Sequence, residues 1–262
     1  MFRWVRPISW FMVVVLFLSG YWLAGGHAPL LATIGFLFVA IPYHLLATGA
    51  RTLERITPQA TSRQRWLCVA LFNAAFLVLF AAFAGPAVIV WLSAMLLVAA
   101  LCHVSFCRYP FLDILAEGFI AASPFVLGVL ITASDRTAQL LPIGVILLLW
   151  SIASHIIWQL AEHSEQATIR LTSFVSRVGN EIAIMCVLGL YAVSAVLPLV
   201  YYGRRGVFAT LVFVLYLMRT APLLTVRFHA RNMVYVRTWW LVRRLNYLTL
   251  VVVLLYVLTQ ST

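Results

Sequence analysis

Long apolar runs alternate with short polar stretches along the whole chain. A helix that crosses the hydrocarbon core of a bilayer needs about 20 mostly apolar residues, and nine runs reach or approach that length. They are Ser9–Gly25, Ala28–Ala47, Trp66–Ala84, Pro86–Phe106, Phe111–Thr132, Leu140–Trp158, Asn180–Tyr202, Val207–Leu224 and Leu245–Thr259. This pattern predicts an all-α, polytopic integral membrane protein of about nine transmembrane helices, forming a single domain over residues 1–262.

The polar connections between these runs differ in length. Short connections follow the first, third, fifth and seventh spans, whereas long ones follow the second, sixth and eighth. The long connections are Thr48–Arg65, Gln159–Gly179 and Thr225–Arg244. At roughly 18–21 residues they exceed what neighbouring helices need, and long ordered loops are often functional. We therefore expect functional residues in these loops.

Composition supports the membrane interpretation and excludes several classes of protein. Apolar residues make up 64% of the chain and charged residues 10%, against about 45–50% and about 25% in soluble domains. A soluble globule cannot bury so much apolar surface, and a disordered chain would be far more polar. The four cysteines match no zinc or haem-attachment spacing, and buried free thiols are expected.

The net charge of +11 comes entirely from arginine, because the chain contains no lysine. Fifteen arginines fall on the side of the N-terminus and the long loops; only Arg136, Arg204 and Arg205 fall on the other. Cytoplasmic loops of membrane proteins collect positive charge. This asymmetry predicts a multi-pass protein of the cytoplasmic (inner) membrane with a cytoplasmic N-terminus. The charge then needs no nucleic-acid partner.

Two of the long loops share a composition in which arginines alternate with hydroxyl, amide and acidic side chains. A guanidinium donates paired hydrogen bonds to phosphate oxygens, so these loops are candidates for binding a phosphate or diphosphate head group. The candidate head-group residues are Arg51, Arg55, Arg170, His163, Tyr43 and His44. Contact with anionic lipids of the inner leaflet explains the same arginines, and both interpretations stay open.

Ionisable residues inside the predicted spans are further candidates, because such groups are costly in a membrane and default to functional roles. Asp113 and Glu117 lie four residues apart, on one face of the fifth span. The histidines His44, His103 and His155 each fall near the cytoplasmic end of a span. Facing imidazoles at matched depth would also suit a b-type haem, which gives a second class of hypothesis.

Several segments resemble the UbiA-type prenyltransferase superfamily. The opening FRWVRPISWFMVVVLFLSGYWLAGG and the closing LNYLTLVVVLLYVL are similar to that family's first and last spans. FLDILAEGFIAASPFVLGVLI resembles the fifth span of its carotenoid/lycopene-elongase-like branch, and SHIIWQLAEHSEQATIRLTSFVSRVG resembles the region of the second acidic motif. The resemblance implies a UbiA-like helical bundle, a polyisoprenoid substrate and, if the chain is an enzyme, transfer of a prenyl group.

The acidic motifs of that family are degenerate here. In place of Asn-Asp-x-x-Asp-x-x-x-Asp the chain has YHLLATGARTLE, with Glu54 as its one carboxylate. The second motif, Asp-x-x-x-Asp, falls on Glu162 and Gln166. The family holds a diphosphate with two Mg²⁺ ions, and Mg²⁺ prefers carboxylates together with substrate phosphates. The resemblance implies Glu54 and Glu162 as metal ligands and Glu162, Glu165 and Asp113 as catalytic candidates, with one Mg²⁺ at most.

The sequence therefore predicts a UbiA-like membrane protein that binds or processes a polyisoprenoid, or a similar long-chain lipid, with its head group at the cytoplasmic face. Because the motifs are degenerate, Mg²⁺-dependent prenyl transfer is expected to be impaired or absent. One alternative is an active prenyltransferase in which arginines neutralise the diphosphate. Others are a non-catalytic subunit bound to a membrane protein partner, and a b-type haem protein.

Overall fold

The computed structural model describes residues 6–26, 85–104, 109–132, 135–165, 173–225 and 231–261, with a few single positions between 64 and 85. Its α-helices are α1 (Arg6–Leu23), α2 (Pro86–Val104), α3 (Pro110–Ile131), α4 (Thr137–Glu165), α5 (Phe174–Val178), α6 (Asn180–Tyr202), α7 (Val207–Thr220) and α8 (Arg231–Ser261). Short 3₁₀ turns at Gly203–Gly206 and Ala221–Thr225 follow α6 and α7. The described residues include no strand, and the predicted all-α fold is confirmed.

Three helical stretches among the described residues are long and apolar enough to cross a membrane: Pro110–Ile131, Thr137–Glu162 and Asn180–Thr225. The third contains both α6 and α7, which fold back on one another through the turn at Gly203–Gly206. Two shorter apolar helical stretches are Met12–Leu23 and Pro86–Val98. The apolar helices are those the sequence predicts, while the number nine stays a prediction.

Two predicted boundaries are wrong, both because polar residues were taken for loop. Helix α4 continues to Glu165 instead of ending at Trp158, so the start of the supposed loop is helical. Helix α8 begins at Arg231, whereas the last span was expected to begin at Leu245. Arginines lower the hydropathy of this early part of α8. Helical spacing nevertheless places Tyr235, Thr238, Val242, Asn246 and Leu250 on one buried stripe.

The chain divides into two compact units. Unit 1 contains residues 1–101, 123–140 and 253–262, and unit 2 contains residues 102–122 and 141–252. In unit 1, α1 meets the second half of α3 at two glycines. A Cβ on Gly20 would meet the carbonyl of Phe125, and a Cβ on Gly128 would meet that of Phe17. Glycine at both positions lets the two backbones approach closely, as small residues do between membrane helices.

In unit 2, the first half of α3 runs antiparallel to the second half of α4. Gly118 of α3 lies against Ile152 of α4, and Asp113 lies beside Gln159. Helices α6 and α7 form a second antiparallel pair, joined by a hydrogen bond from Thr210 Oγ1 to the carbonyl of Ala195 at 2.7 Å. This arrangement brings the start of α3 to the end of α4, where polar side chains gather.

Candidate functional site

Three polar side chains meet where α3 begins and α4 approaches its end. The amide nitrogen of Gln159 donates a hydrogen bond to Oδ2 of Asp113 at 2.9 Å. Nε2 of His155 lies 3.0 Å from that amide nitrogen and 3.5 Å from the same Asp113 oxygen. His155 and Gln159 are four residues apart on α4, so they share one helical face. We call Asp113, His155 and Gln159 the Asp113 cluster.

The amide nitrogen of Gln159 lies within hydrogen-bond distance of both Asp113 and His155. An amide NH₂ has two hydrogens, so it can donate one to Asp113 and one to His155. The second bond requires Nε2 of His155 to be the unprotonated nitrogen, with the proton of the neutral imidazole on Nδ1. Nε2 is therefore engaged by the protein, which disfavours His155 as an axial ligand of haem.

The carbonyl oxygen of Gln159 accepts no hydrogen bond from the described residues. Gln159 is 3% exposed, and its Oε1 is buried without a hydrogen-bond partner among the described residues. Leaving such a group unsatisfied costs about 1–3 kcal/mol. The side chains of His155 and Asp113 are 13% and 26% exposed, so the cluster is not sealed. A ligand that donates a hydrogen bond would satisfy the open oxygen.

The surroundings of the Asp113 cluster are acidic. Glu117 follows Asp113 by four residues on α3, and Glu162 follows Gln159 by three on α4. Both carboxylates, with that of Asp113, act electrostatically on His155. The indole of Trp158 lies with its ring centre 5.0 Å from the imidazole. The described part of the site is therefore rich in hydrogen-bond acceptors, and its carboxylates repel anions.

The short helix α5 packs beside the start of α3. The ring of its Phe174 meets Phe111, two residues before Asp113, edge to face with centres 5.3 Å apart. Ser173 caps α5 by accepting a hydrogen bond from the backbone N–H of Ser176. Gly179, at φ 84°, ends the helix in a backbone conformation that favours glycine. An apolar pair thus stands next to the polar cluster.

The structure brings together only some of the residues that the sequence singles out. Asp113 lies in the cluster, and Glu162 lies on α4 beside it. Glu165 and His163 are in α4, but their side chains are outside the described part. Tyr43, His44, Arg51, Glu54, Arg55 and Arg170 lie outside the described residues altogether.

Gln159 is the residue of the site that sequence reasoning missed, because it was assigned to a loop. The signal was its spacing: Gln159 lies four residues after His155 and three before Glu162, as on one helical face.

A second group of polar side chains lies deeper in unit 2. Tyr216 donates to Asn246 Oδ1 at 2.7 Å, and Asn246 Nδ2 donates to Ser154 Oγ at 3.4 Å. The hydroxyl of Ser154 is 3.2 Å from that of Tyr191, and the hydroxyl of Thr249 is 3.2 Å from that of Tyr216. We call these five residues the Asn246 network. It joins α4, α6, α7 and α8 through neutral groups that satisfy one another.

The described side chains do not fit the pair of Mg²⁺ ions that the family resembled by this chain holds. No three Asp, Glu, His or Cys residues gather within the described part closely enough to hold a metal ion. In the Asp113 cluster, the amide nitrogen of Gln159 lies 2.9 Å from the Asp113 oxygen and 3.0 Å from the His155 nitrogen that would ligate a cation. Glu162 is the one predicted metal ligand whose side chain is described.

Two carotenoid proteins are similar to this chain in sequence. A lycopene elongase/hydratase from Corynebacterium glutamicum is 24% identical over 211 residues, which are 73% of this chain and 74% of that protein. The C(50) beta-cyclic carotenoids biosynthesis protein LbtBC of Dietzia sp. is 24% identical over 217 residues, or 74% of this chain and 49% of that protein. No protein-family model matches the chain.

Solved structures of similar fold cover nearly the whole chain. A structure of digeranylgeranylglyceryl phosphate synthase matches with a TM-score of 0.73 at 11% identity, covering 96% of this chain and 94% of that one. A UbiA homologue from Archaeoglobus fulgidus, bound to DMAPP and Mg²⁺, matches with a TM-score of 0.67 at 14% identity, covering 95% and 98%. The apolar helices and these neighbours indicate a multi-pass membrane protein.

Proposed function

We propose a function for this chain from its fold, which is that of UbiA-type prenyltransferases, and from its sequence, which resembles their carotenoid-related branch, as predicted. From that premise we propose that it binds or processes a polyisoprenoid, or a similar long-chain lipid, inside the membrane. The polar end of the lipid lies beside the Asp113 cluster, and its apolar tail lies among the helices. The observation that carries this proposal is the Asp113 cluster, a charged group held at the meeting point of two apolar helices.

Membrane energetics support a binding role for this cluster. A carboxylate placed within an apolar helix pair is costly, and such groups mark substrate or ion sites. Asp113 lies in the first turn of α3, where the positive end of the helix dipole favours a negative charge. The remaining cost is offset by the amide of Gln159.

The finer features of the proposal come from the sequence. The N-terminus and long loops lie in the cytoplasm, and Arg51, Arg55, Arg170, His163, Tyr43 and His44 bind a phosphate-bearing head group. Glu54 and Glu162 hold one Mg²⁺ at most, and Glu162, Glu165 and Asp113 serve the reaction if there is one. Anionic inner-leaflet lipids contact the same arginines.

A prenyl-transfer assay separates an enzyme from a lipid binder. Membranes containing the protein are incubated with radiolabelled DMAPP or GPP, with and without Mg²⁺, and the lipid products are separated. Degenerate motifs predict little or no transfer. Turnover by the wild type that vanishes in Glu162→Ala would instead identify an active enzyme with a divergent site.

Lipid analysis of the purified protein tests binding whatever the result of that assay. Mass spectrometry should find an isoprenoid enriched over the bulk membrane lipids in the wild type. Gln139→Leu, at the exposed start of α4, serves as the control and should retain that enrichment. If no isoprenoid is enriched and no prenyl transfer occurs, the proposed function is wrong, and a stable partner on gentle solubilisation would favour a structural subunit.

A further inference from the structure

The Asp113 cluster presents hydrogen-bond acceptors where the predicted head-group residues present donors. Oε1 of Gln159 is buried and has no partner among the described residues, and Asp113 is 26% exposed beside it. The carboxylates of Glu117 and Glu162 add negative charge. A diphosphate would meet repulsion from all of these groups. The ligand of this cluster therefore differs in kind from the ligand of the arginines.

A metal cation is also a poor match for the cluster. It would need an Asp113 oxygen and the lone pair of His155 Nε2, and the amide nitrogen of Gln159 lies 2.9 Å from the first and 3.0 Å from the second. The NH₂ group of Gln159 would then be pressed against the cation. Turning the amide over would place its oxygen 2.9 Å from the Asp113 carboxylate oxygen, which is repulsive without a shared proton. A neutral hydrogen-bond donor meets neither obstacle.

We propose that the Asp113 cluster is a binding site for an O–H group, which donates a hydrogen bond to Gln159 Oε1 or to the exposed side of the Asp113 carboxylate. The O–H group belongs to a lipid alcohol or to a water molecule beside the isoprenoid. This site rests on the proposed function, since the O–H group either belongs to the bound isoprenoid or lies beside it. In this proposal His155 is a positioning residue: with Nε2 unprotonated, it accepts the second hydrogen of Gln159 and fixes the amide orientation.

The geometry explains why a glutamine occupies this position. A leucine would fill similar volume but leave Asp113 without its donor. A glutamate would place a further negative charge beside the carboxylate of Asp113. Only an amide both stabilises the carboxylate with its nitrogen and offers a buried acceptor with its oxygen.

Thermal unfolding of the purified protein with matched ligands tests the site. The probes are geranylgeraniol and its methyl ether, which differ by the O–H hydrogen, with the apolar tail kept constant. A ligand raises Tm according to its concentration over its Kd. For a lipid alcohol, we expect the wild type to bind the alcohol at least tenfold more tightly than the ether.

Two variants assign that preference to the cluster. In Gln159→Leu the alcohol should lose its advantage over the ether, while both keep the binding due to the tail. Asp113→Asn retains an acceptor for the Gln159 amide, so it should fold, and it should weaken alcohol binding by removing the charged acceptor. Gln139→Leu, the exposed glutamine at the other end of α4, should keep the full preference.

A second arm detects water as the ligand. Magnetisation transfer from water to the ¹⁵N-labelled side-chain amide of Gln159, assigned by the absence of its signal in Gln159→Leu, should be strong in the wild type. In that case the alcohol and the ether bind equally. If the two bind equally and no water contact is found at the Gln159 amide, the inference is wrong while the isoprenoid function stands. If neither ligand nor any other isoprenoid shifts Tm, the proposed function itself fails.

Discussion

The Asp113 cluster and the Asn246 network begin at adjacent residues of α4, yet they are built in opposite ways. Ser154 belongs to the network, where hydroxyl and amide groups satisfy one another across four helices. His155 belongs to the cluster, which joins α3 and α4, contains a carboxylate and includes a buried amide oxygen with no hydrogen-bond partner in the part of the chain that the structure describes. Successive residues of a helix point about 100° apart, so one turn of α4 contributes side chains to both the network and the cluster.

This difference separates polar residues that stabilise the helix packing, in the Asn246 network, from polar residues that we propose bind a ligand, in the Asp113 cluster. Hydrogen bonds between membrane helices are worth about 0.6 kcal/mol on average and up to about 1.7 kcal/mol. Such bonds explain the Asn246 network as packing. They do not explain why a carboxyl group stands at position 113 or why the buried oxygen of Gln159 has no partner among the described residues. Substitutions in the two regions should therefore change different measured quantities.

The largest effect is expected from Gly118→Leu, which forces apart the helices that form the cluster. A Cβ at Gly118 already meets the side chain of Ile152, so a leucine overpacks the contact between α3 and α4. Overpacking of this kind costs about 1–3 kcal/mol, and isoprenoid binding should be lost with it. Thermal unfolding and lipid analysis measure both. Gly189→Leu, where a Cβ meets nothing, is the control and should change neither.

Asp113→Asn should act on binding and hardly on folding. The asparagine still accepts from Gln159, so the contact between α3 and α4 remains. Losing the charge should weaken binding of a lipid alcohol by about tenfold, or about 1.4 kcal/mol. Titration by Tm shift checks this. A drop in the Tm of the ligand-free protein comparable to that of Gly118→Leu would mean that Asp113 is structural.

Asn246→Leu should show the reverse pattern. It removes the bond from Tyr216 and the bond to Ser154, both buried. We expect a loss of about 1 kcal/mol in the free energy of unfolding, with isoprenoid content per protein unchanged. Unfolding in a graded detergent mixture, followed by lipid analysis, measures the two effects. Loss of the lipid at full stability would contradict the division between the two regions.

The smallest effect is expected from Thr249→Val, at the edge of the Asn246 network. The variant keeps the shape and removes one hydroxyl that lies 3.2 Å from Tyr216. Tyr216 retains its bond to Asn246, so a loss of about 0.5 kcal/mol is expected. Thr225→Val, exposed and bonded only locally to Pro222, should give no measurable change in Tm. Equal changes in both variants would refute a role for the Thr249 hydroxyl.

The fold class was predictable from the sequence because the apolar runs have the lengths that a bilayer imposes. Asp113 was also predictable as a candidate, since a carboxylate within such a run is unusual. The helix boundaries were wrong where polar residues continue an apolar helix. Gln159 and Glu162 were assigned to a loop, although α4 continues through them to Glu165.

The partners of these residues were not predictable. Gln159 reaches Asp113 across 46 residues of sequence, and Asn246 reaches Ser154 across 92. Such contacts depend on how each helix is rotated about its axis, and close packing at Gly118 sets this for α3 and α4. Helical spacing predicts which residues share a face, but it does not predict what that face meets.

The most direct test compares the isoprenoid that co-purifies with three proteins: the wild type, Gln159→Leu and Asn246→Leu. Each is purified from the same membranes, and the isoprenoid is measured per mole of folded protein. For a lipid alcohol, the proposed site predicts enrichment in the wild type and in Asn246→Leu, with at least a tenfold loss in Gln159→Leu. Equal enrichment of a lipid alcohol in all three, or a loss confined to Asn246→Leu, would contradict the assignment of the Asp113 cluster as the site that binds its hydroxyl group.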